Sequence, residues 1–209
     1  MIIIKTNADN KCFWQKTAKF YTYAMHSNKH IYKKIGMLLN QYLNKNITVL
    51  ELACGTGLIT EQSAGSAKHW TATDYSENML TEAKKHLHSF NNISFSVQDA
   101  TRLTYNSEEF DVVVIANALH IMPEPNKALA EIHRVLKPNG ILFAPTFVYE
   151  KRYYKTDIFI MKLLGFKTYH EWTTNKYGKY INSNGFRVQK TKLLKASPLP
   201  ECVLVAKKR

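Results

Sequence analysis

Residues 49–60, Val-Leu-Glu-Leu-Ala-Cys-Gly-Thr-Gly-Leu-Ile-Thr, constrain the fold of this chain more than any other stretch. An apolar run carrying an acid at Glu51 passes through small residues and two glycines, then re-enters apolar sequence able to open a helix. That pattern predicts a strand, a tight turn and a helix start. Ala53, Gly55 and Gly57 carry little or no side chain, so backbone there can approach a ligand closely. A turn built for a pyrophosphate presents amide N–H groups and a positive helix terminus to the anion. A carboxylate would be repelled from such a site, and Glu51 suits an ammonium or sulfonium ligand better.

From residue 47 onward, short β-rich runs alternate with helical segments. Strands are expected at 48–52, 69–73, 93–98, 111–116 and 140–146, with helices at 58–64, 77–88 and 125–136 between them. Alternation of this kind specifies a doubly wound, mostly parallel sheet. Further helices are expected at 151–164 and 172–183, the latter ended by Asn184-Gly185. Strands at 186–193 and 201–207 then close the sheet as an antiparallel hairpin, which makes seven strands. Upstream, residues 9–43 pattern as two helices. At 209 residues the chain suffices for one substantial core and is short for two domains. The expected organisation is a single domain over 1–209, with a helical N-terminal cap (1–46), a core (47–147) and a sheet-closing, substrate-side region (148–209).

The net charge of +13 is unevenly placed. Residues 1–46 carry eight Lys against one acid, residues 47–147 seven basic against eleven acidic groups, and residues 148–209 fourteen basic against four acidic. Positive flanks attract an anionic substrate, a nucleic acid or an anionic membrane surface. Equally, Lys outnumbers Arg 24 to 5, which an AT-rich coding sequence produces without selection for a partner. No run approaches the roughly 18 to 20 apolar residues needed to cross a bilayer. The N-terminus does not read as a secretory signal. Cys12, Cys54 and Cys202 are odd in number and widely spaced, against a disulfide framework or a zinc site. A cytoplasmic protein without metal is expected.

The spacing E-x-A-x-G-x-G resembles the first motif of the class I S-adenosylmethionine-dependent methyltransferases, with Ala53 where the family usually has Gly. Four further segments resemble that family in order: residues 71–80 (TATDYSENML), 97–103 (VQDATRL), 110–125 (FDVVVIANALHIMPEP) and 134–144 (RVLKPNGILFA). The likeness is strong over 49–146 and looser at both flanks, and is greatest to the small-molecule branch that includes the ubiquinone and menaquinone methyltransferases. It implies a Rossmann-like fold and S-adenosyl-L-methionine as cofactor. It places Glu51 near the methionine ammonium and Ala53, Cys54, Gly55, Thr56 and Gly57 around the methionine portion. It sets Asp74 on the ribose diol, Tyr75, Ser76 and Met79 along the adenosine, and Asp99 with Ala100 on the adenine. The Asn117 backbone carbonyl faces the ammonium. Any one of these acids alone reads as a helix cap or turn residue; their joint order favours the cofactor.

His120, beyond the fourth strand, is the candidate base, with an ordinary pKa near 6.5 suited to neutral pH; it also reads as a packed helix-start residue. Trp14, Tyr21 and Tyr23 form either a lid or ordinary core. Phe147, Tyr149 and Trp172 follow the fifth strand, where such enzymes hold their acceptor. Cys54 reads as a packing residue rather than a nucleophile.

A dinucleotide is disfavoured because G-x-G-x-x-G is absent. Amino-base methylation needs Asn or Asp followed by two prolines and an aromatic, where this chain has Asn117-Ala118-Leu119-His120. Pyrimidine-carbon methylation needs a cysteine, and none lies between Cys54 and Cys202. The expected activity is methyl transfer to a small-molecule or lipid-like acceptor by in-line displacement. RNA methylation and a catalytically silent, cofactor-binding partner protein stay open, as do peripheral membrane contact and the oligomeric state.

Overall fold

The computed structural model describes residues 29–150, 168–196 and 199–209. Trp14, Tyr21, Tyr23, the first expected helix and the expected helix at 151–164 lie outside the described residues. In chain order the elements are α1 (Lys29–Leu39), β1 (Thr48–Leu52), α2 (Leu58–Ser63), β2 (His69–Asp74), α3 (Glu77–His86), β3 (Ile93–Val97) and β4 (Phe110–Ile115). There follow α4 (Pro125–Val135), β5 (Leu136–Phe143), β6 (Thr146–Phe147), α5 (Thr174–Ser183), β7 (Phe186–Leu194) and β8 (Glu201–Lys208).

The strands form one mixed sheet in the order β3-β2-β1-β4-β5-β8-β6, with β7 on the other side of β8 from β5. Strands β1 to β5 run parallel, and β8 is antiparallel to β5, β6 and β7. Chain order reverses between β1 and β4, which opens a crevice at the carboxyl ends of those strands. Because β8 runs the other way, its first residue, Glu201, lies at this same edge, paired with Phe147.

Successive side chains point to opposite faces of a strand, and both faces are covered. Leu50, Val113, Leu142, Leu204 and Ala206 meet Ala128, Leu129 and Ile132 of α4 and Tyr177 and Ile181 of α5. Val49, Ala72, Val112, Val114, Val203 and Val205 meet Ile31, Ile35 and Leu39 of α1, Ile59 of α2 and Leu80 of α3. Near-continuous apolar strands such as FDVVVI follow from this double burial.

The fifth strand departs furthest from expectation, at both ends and for physical reasons. The fifth strand starts at Leu136, because Leu136 pairs with Phe110 before an irregularity restores register at Val112–Ile141. It is then interrupted at Ala144-Pro145 and resumes as β6, so the sheet has eight named strands. The break has partners of its own: Ala144 N–H donates to Leu204 O, and Pro145 O accepts from Asn117 N–H.

Candidate functional site

The turn after β1 is built from left-handed backbone. Ala53, Gly55 and Gly57 have φ of 53°, 56° and 85°. Glycine reaches this region freely, whereas an L-residue pays about 1–2 kcal/mol, so Ala53 sits in a strained conformation. A Cβ on Gly57 would lie 2.6 Å from Leu87 Cδ1, so the last glycine serves close packing against the end of α3. Cys54 N–H donates to Thr73 O at 2.8 Å and Gly57 N–H to Cys54 O at 3.0 Å. The Cys54 thiol contacts Gly55 O, and burial pushes its pKa up, which makes it inert as a nucleophile. Thr56 is buried, and its Oγ1 has no hydrogen-bond partner among the described residues.

Glu51 lies beneath this turn rather than in it. Its Oε2 accepts from Thr60 Oγ1 at 2.5 Å and from the Trp70 indole N–H at 2.8 Å, while its backbone carbonyl accepts from Thr73 Oγ1. Burial raises the carboxyl to about 7, against the lowering effect of those donors. Thr60 and Trp70, which the sequence reading did not single out, therefore pin β1 to α2 and β2.

Asp74 ends β2. Its Oδ2 accepts from Gly55 N–H at 2.9 Å and its Oδ1 from Ser76 N–H at 2.8 Å. Burial raises its pKa and those backbone donors oppose the rise. Ser76 caps α3 by accepting from Met79 N–H, and Met79 is buried; Tyr75 between them is half-buried. Asp99 follows β3 and accepts from Thr101 N–H and Oγ1 on Oδ1 alone, with Ala100 packed against the core beside it. Each carboxylate oxygen can accept two hydrogen bonds, so both acids keep capacity for a ligand.

Asn117 follows β4 in left-handed backbone, φ 52°. Its Nδ2 donates to Glu201 Oε1 at 3.0 Å, and its Oδ1 is buried without a partner among the described residues. Glu201 is 2% exposed, and burial raises its pKa to about 7. The sequence reading passed over Glu201, although an acid at the head of the apolar run ECVLVA was its visible signal.

Residues 50–144 match a methyltransferase domain. The demethylmenaquinone methyltransferase of Clavibacter sepedonicus is 40% identical over 92 residues, covering 44% of this chain and 38% of the relative. The ubiquinone/menaquinone biosynthesis C-methyltransferase UbiE of Rickettsia bellii is 34% identical over 155 residues, 70% of this chain and 60% of the relative. The chain thus spans less than two thirds of the length of either. Among solved structures, the 1,6-didemethyltoxoflavin-N1-methyltransferase of Burkholderia thailandensis superposes with a TM-score of 0.79, at 17% identity, over 96% of this chain and 88% of that one. The [4+2]-cyclase SpnF superposes at 0.70 and 18% identity over 84% and 81%. At such identities the likeness shows the fold alone.

The residues around this crevice fit S-adenosylmethionine. Two acids with spare acceptor capacity stand at adjacent strand ends, as a ribose diol and an adenine amine require. Thr56 Oγ1 and Asn117 Oδ1 have no hydrogen-bond partner among the described residues, and the turn carries little side-chain bulk.

The expected pKa near 6.5 for His120 does not hold in this setting. The ring is 1% exposed, bonded through Nδ1 to Thr146 Oγ1 at 3.0 Å and edge-on to Phe147. Burial, then the neighbouring His170, lowers its pKa to about 3. Trp172 is 8% exposed and stacked on His170, Tyr177 and Tyr180, within the core cluster. Tyr149 is held by its backbone N–H on Trp172 O at 2.8 Å. Phe147 is half-buried at the sheet edge, opposite Glu201. Among the described residues no group of three or more His, Cys, Asp or Glu could hold a metal ion, and no helix is long and apolar enough to cross a membrane.

Proposed function

We propose that this chain is a single-domain, cytoplasmic enzyme that transfers a methyl group from S-adenosylmethionine to a small-molecule or lipid-like acceptor. The observation that carries the reading is the Gly55–Asp74 hydrogen bond, which locks the glycine turn to the second strand's acid inside the matched domain. The similarity to quinone methyltransferases supports an acceptor of that size and polarity.

When bound, the cofactor supplies an electrophilic methyl group. The protein's part is alignment and exclusion of water, effects worth roughly 7 to 11 kcal/mol in well-oriented cases. Asp74 and Asp99 hold the nucleoside, and the turn over Ala53 to Gly57 holds the amino-acid end. His120, neutral at physiological pH, is poorly suited to take a proton. Its packing against Phe147 and bond to Thr146 support a role in shaping the acceptor side.

Incubation of the purified chain with methyl-labelled cofactor and cell extract tests the proposal. Label in a low-mass organic fraction is the expected result. Label in RNA would redirect attention to the exposed Arg187, Lys190, Lys192 and Lys195 along β7 and beyond its end, and would overturn the small-molecule reading. Cofactor binding without turnover would mark a silent partner protein.

A further inference from the structure

The methyl-transfer reading uses the backbone of Asn117 and leaves Glu201 without a task. A carboxylate is rarely buried without a cation, because desolvating the charge is costly. Glu201 is 98% buried, and no ion pair involving it is present among the described residues. Its hydrogen-bond partner is the Asn117 amide. Its cross-strand neighbours, Phe147 on β6 and Leu194 on β7, offer no charge.

This pair carries directional information. Above its raised pKa of about 7 the Glu201 carboxylate only accepts, so it must then face the NH2 end of an amide. The Asn117 side chain is thereby held with Nδ2 on Glu201 and Oδ1 away from it. That oxygen is buried and has no partner among the described residues, an arrangement that costs about 1–3 kcal/mol unless something donates to it. Asn117 itself sits in strained left-handed backbone at the carboxyl end of β4, where the crevice opens.

We propose that Glu201 is a positioning residue that fixes the polarity of the Asn117 amide, so that Oδ1 accepts a hydrogen bond from an N–H or O–H group of a bound ligand. The proposal rests on the cofactor and acceptor reading of this edge. The donor is either the amino-acid ammonium of the cofactor or a hydroxyl of the acceptor. The shared requirement is a donor group at Asn117 Oδ1.

The test uses the full chain at pH 8 and the variants Glu201→Gln, Asn117→Gly and the double variant. A glutamine amide can donate or accept, so it retains the contact and loses control of its polarity; glycine accepts the left-handed backbone of position 117. Four probes are titrated calorimetrically: S-adenosylhomocysteine; 5′-methylthioadenosine, which lacks the amino-acid group; and, anaerobically with S-adenosylhomocysteine saturating, 1,4-dihydroxynaphthalene and its donor-free dimethoxy analogue. About a tenfold loss of S-adenosylhomocysteine affinity in Glu201→Gln, with 5′-methylthioadenosine unchanged, supports the proposal with the ammonium as donor. A similar loss confined to 1,4-dihydroxynaphthalene supports it with an acceptor hydroxyl as donor. Either loss must vanish in the Asn117→Gly background, because Glu201 acts through that side chain. Equal effects on donor-bearing and donor-free probes, no effect on any, or a loss that persists without the Asn117 amide overturns the proposal. Failure of the wild-type chain to bind S-adenosylhomocysteine would instead overturn the cofactor reading, and this proposal with it.

Discussion

The backbone N–H of Gly55 donates to Asp74 Oδ2 across 2.9 Å, so the glycine turn and the second strand's acid form one unit. The other carboxylate oxygen accepts from Ser76 N–H, at the start of α3. Asp74→Ala removes both acceptors and the charge, and is expected to abolish measurable S-adenosylhomocysteine binding. Asp74→Asn keeps one acceptor oxygen and loses the charge assistance that roughly doubles such bonds. A tenfold to hundredfold loss, about 1.4 to 2.7 kcal/mol, is expected there. Calorimetric titration decides it, with circular dichroism confirming the fold; an unchanged affinity in Asp74→Ala would remove Asp74 from the site.

Two positions in the same turn respond oppositely to methyl-group bookkeeping. Ala53 holds a φ of 53°, so Ala53→Gly relieves strain while adding freedom to the unfolded chain, and a net gain of up to about 1 kcal/mol is expected. Gly57→Ala meets both a φ of 85° and Leu87 Cδ1 at 2.6 Å, and is expected to destabilise by about 1–3 kcal/mol. Urea denaturation measures both. Recovery of part of the second loss in Gly57→Ala combined with Leu87→Ala would separate the clash from the backbone strain.

Glu51 makes stability depend on pH. Its carboxyl is raised from 4.5 to about 7 by burial, so the folded chain keeps a proton that the unfolded chain releases. Stability from this group is therefore present below about pH 4.5 and lost as pH rises towards 7, with a total on the order of 3 kcal/mol. His120 has the opposite sign: its pKa is lowered from 6.5 to about 3, so it favours the folded state as pH rises through that range. The wild-type profile mixes both, and the difference from Glu51→Gln isolates the first. Glutamine preserves the bonds from Thr60 and Trp70, since both reach the same oxygen. Glu51→Gln should gain stability over wild type between pH 5 and pH 8; an equal difference at both values would refute the assignment.

The core of the fold was legible because strand and helix periods are strong where both sheet faces are covered. The expected strand at 48–52 is Thr48–Leu52, and the acids at 74 and 99 stand out because they close β-rich segments. The remainder depends on contacts between distant segments. Lys137-Pro138-Asn139-Gly140 reads locally as a turn, and only pairing of Leu136 with Phe110 starts β5 earlier. The bonds that Glu51 Oε2 accepts from Thr60 and Trp70, 9 and 19 residues away, have no local signature. Glu201 reaches the carboxyl edge only because β8 runs antiparallel beside β5, 84 residues from its partner Asn117. His120 is in the expected loop, but its burial, which sets its pKa, is a tertiary property.

Arg134 ties the loop after Asp99 to the last turn of α4. From the last turn of α4 its guanidinium donates to the carbonyls of Tyr105 at 2.8 Å and Leu103 at 3.2 Å, and to Glu131. Glu131 in turn accepts from Leu103 N–H at 2.7 Å. The loop that carries Asp99 is thereby clamped at its far end, beyond the Asp99–Arg102 bridge. Arg134→Met keeps much of the side-chain bulk and removes every donor, so the carbonyls of residues 103 and 105 lose their partners while the helix remains. Hydrogen exchange is expected to quicken at the amides of residues 101–105, and S-adenosylhomocysteine affinity to fall several-fold, with exchange in α4 unchanged. Unaltered exchange in the loop would show that Asp99 is held by its bonds to Thr101 alone; faster exchange with unaltered affinity would show that the clamp stabilises the loop without setting the adenine contact.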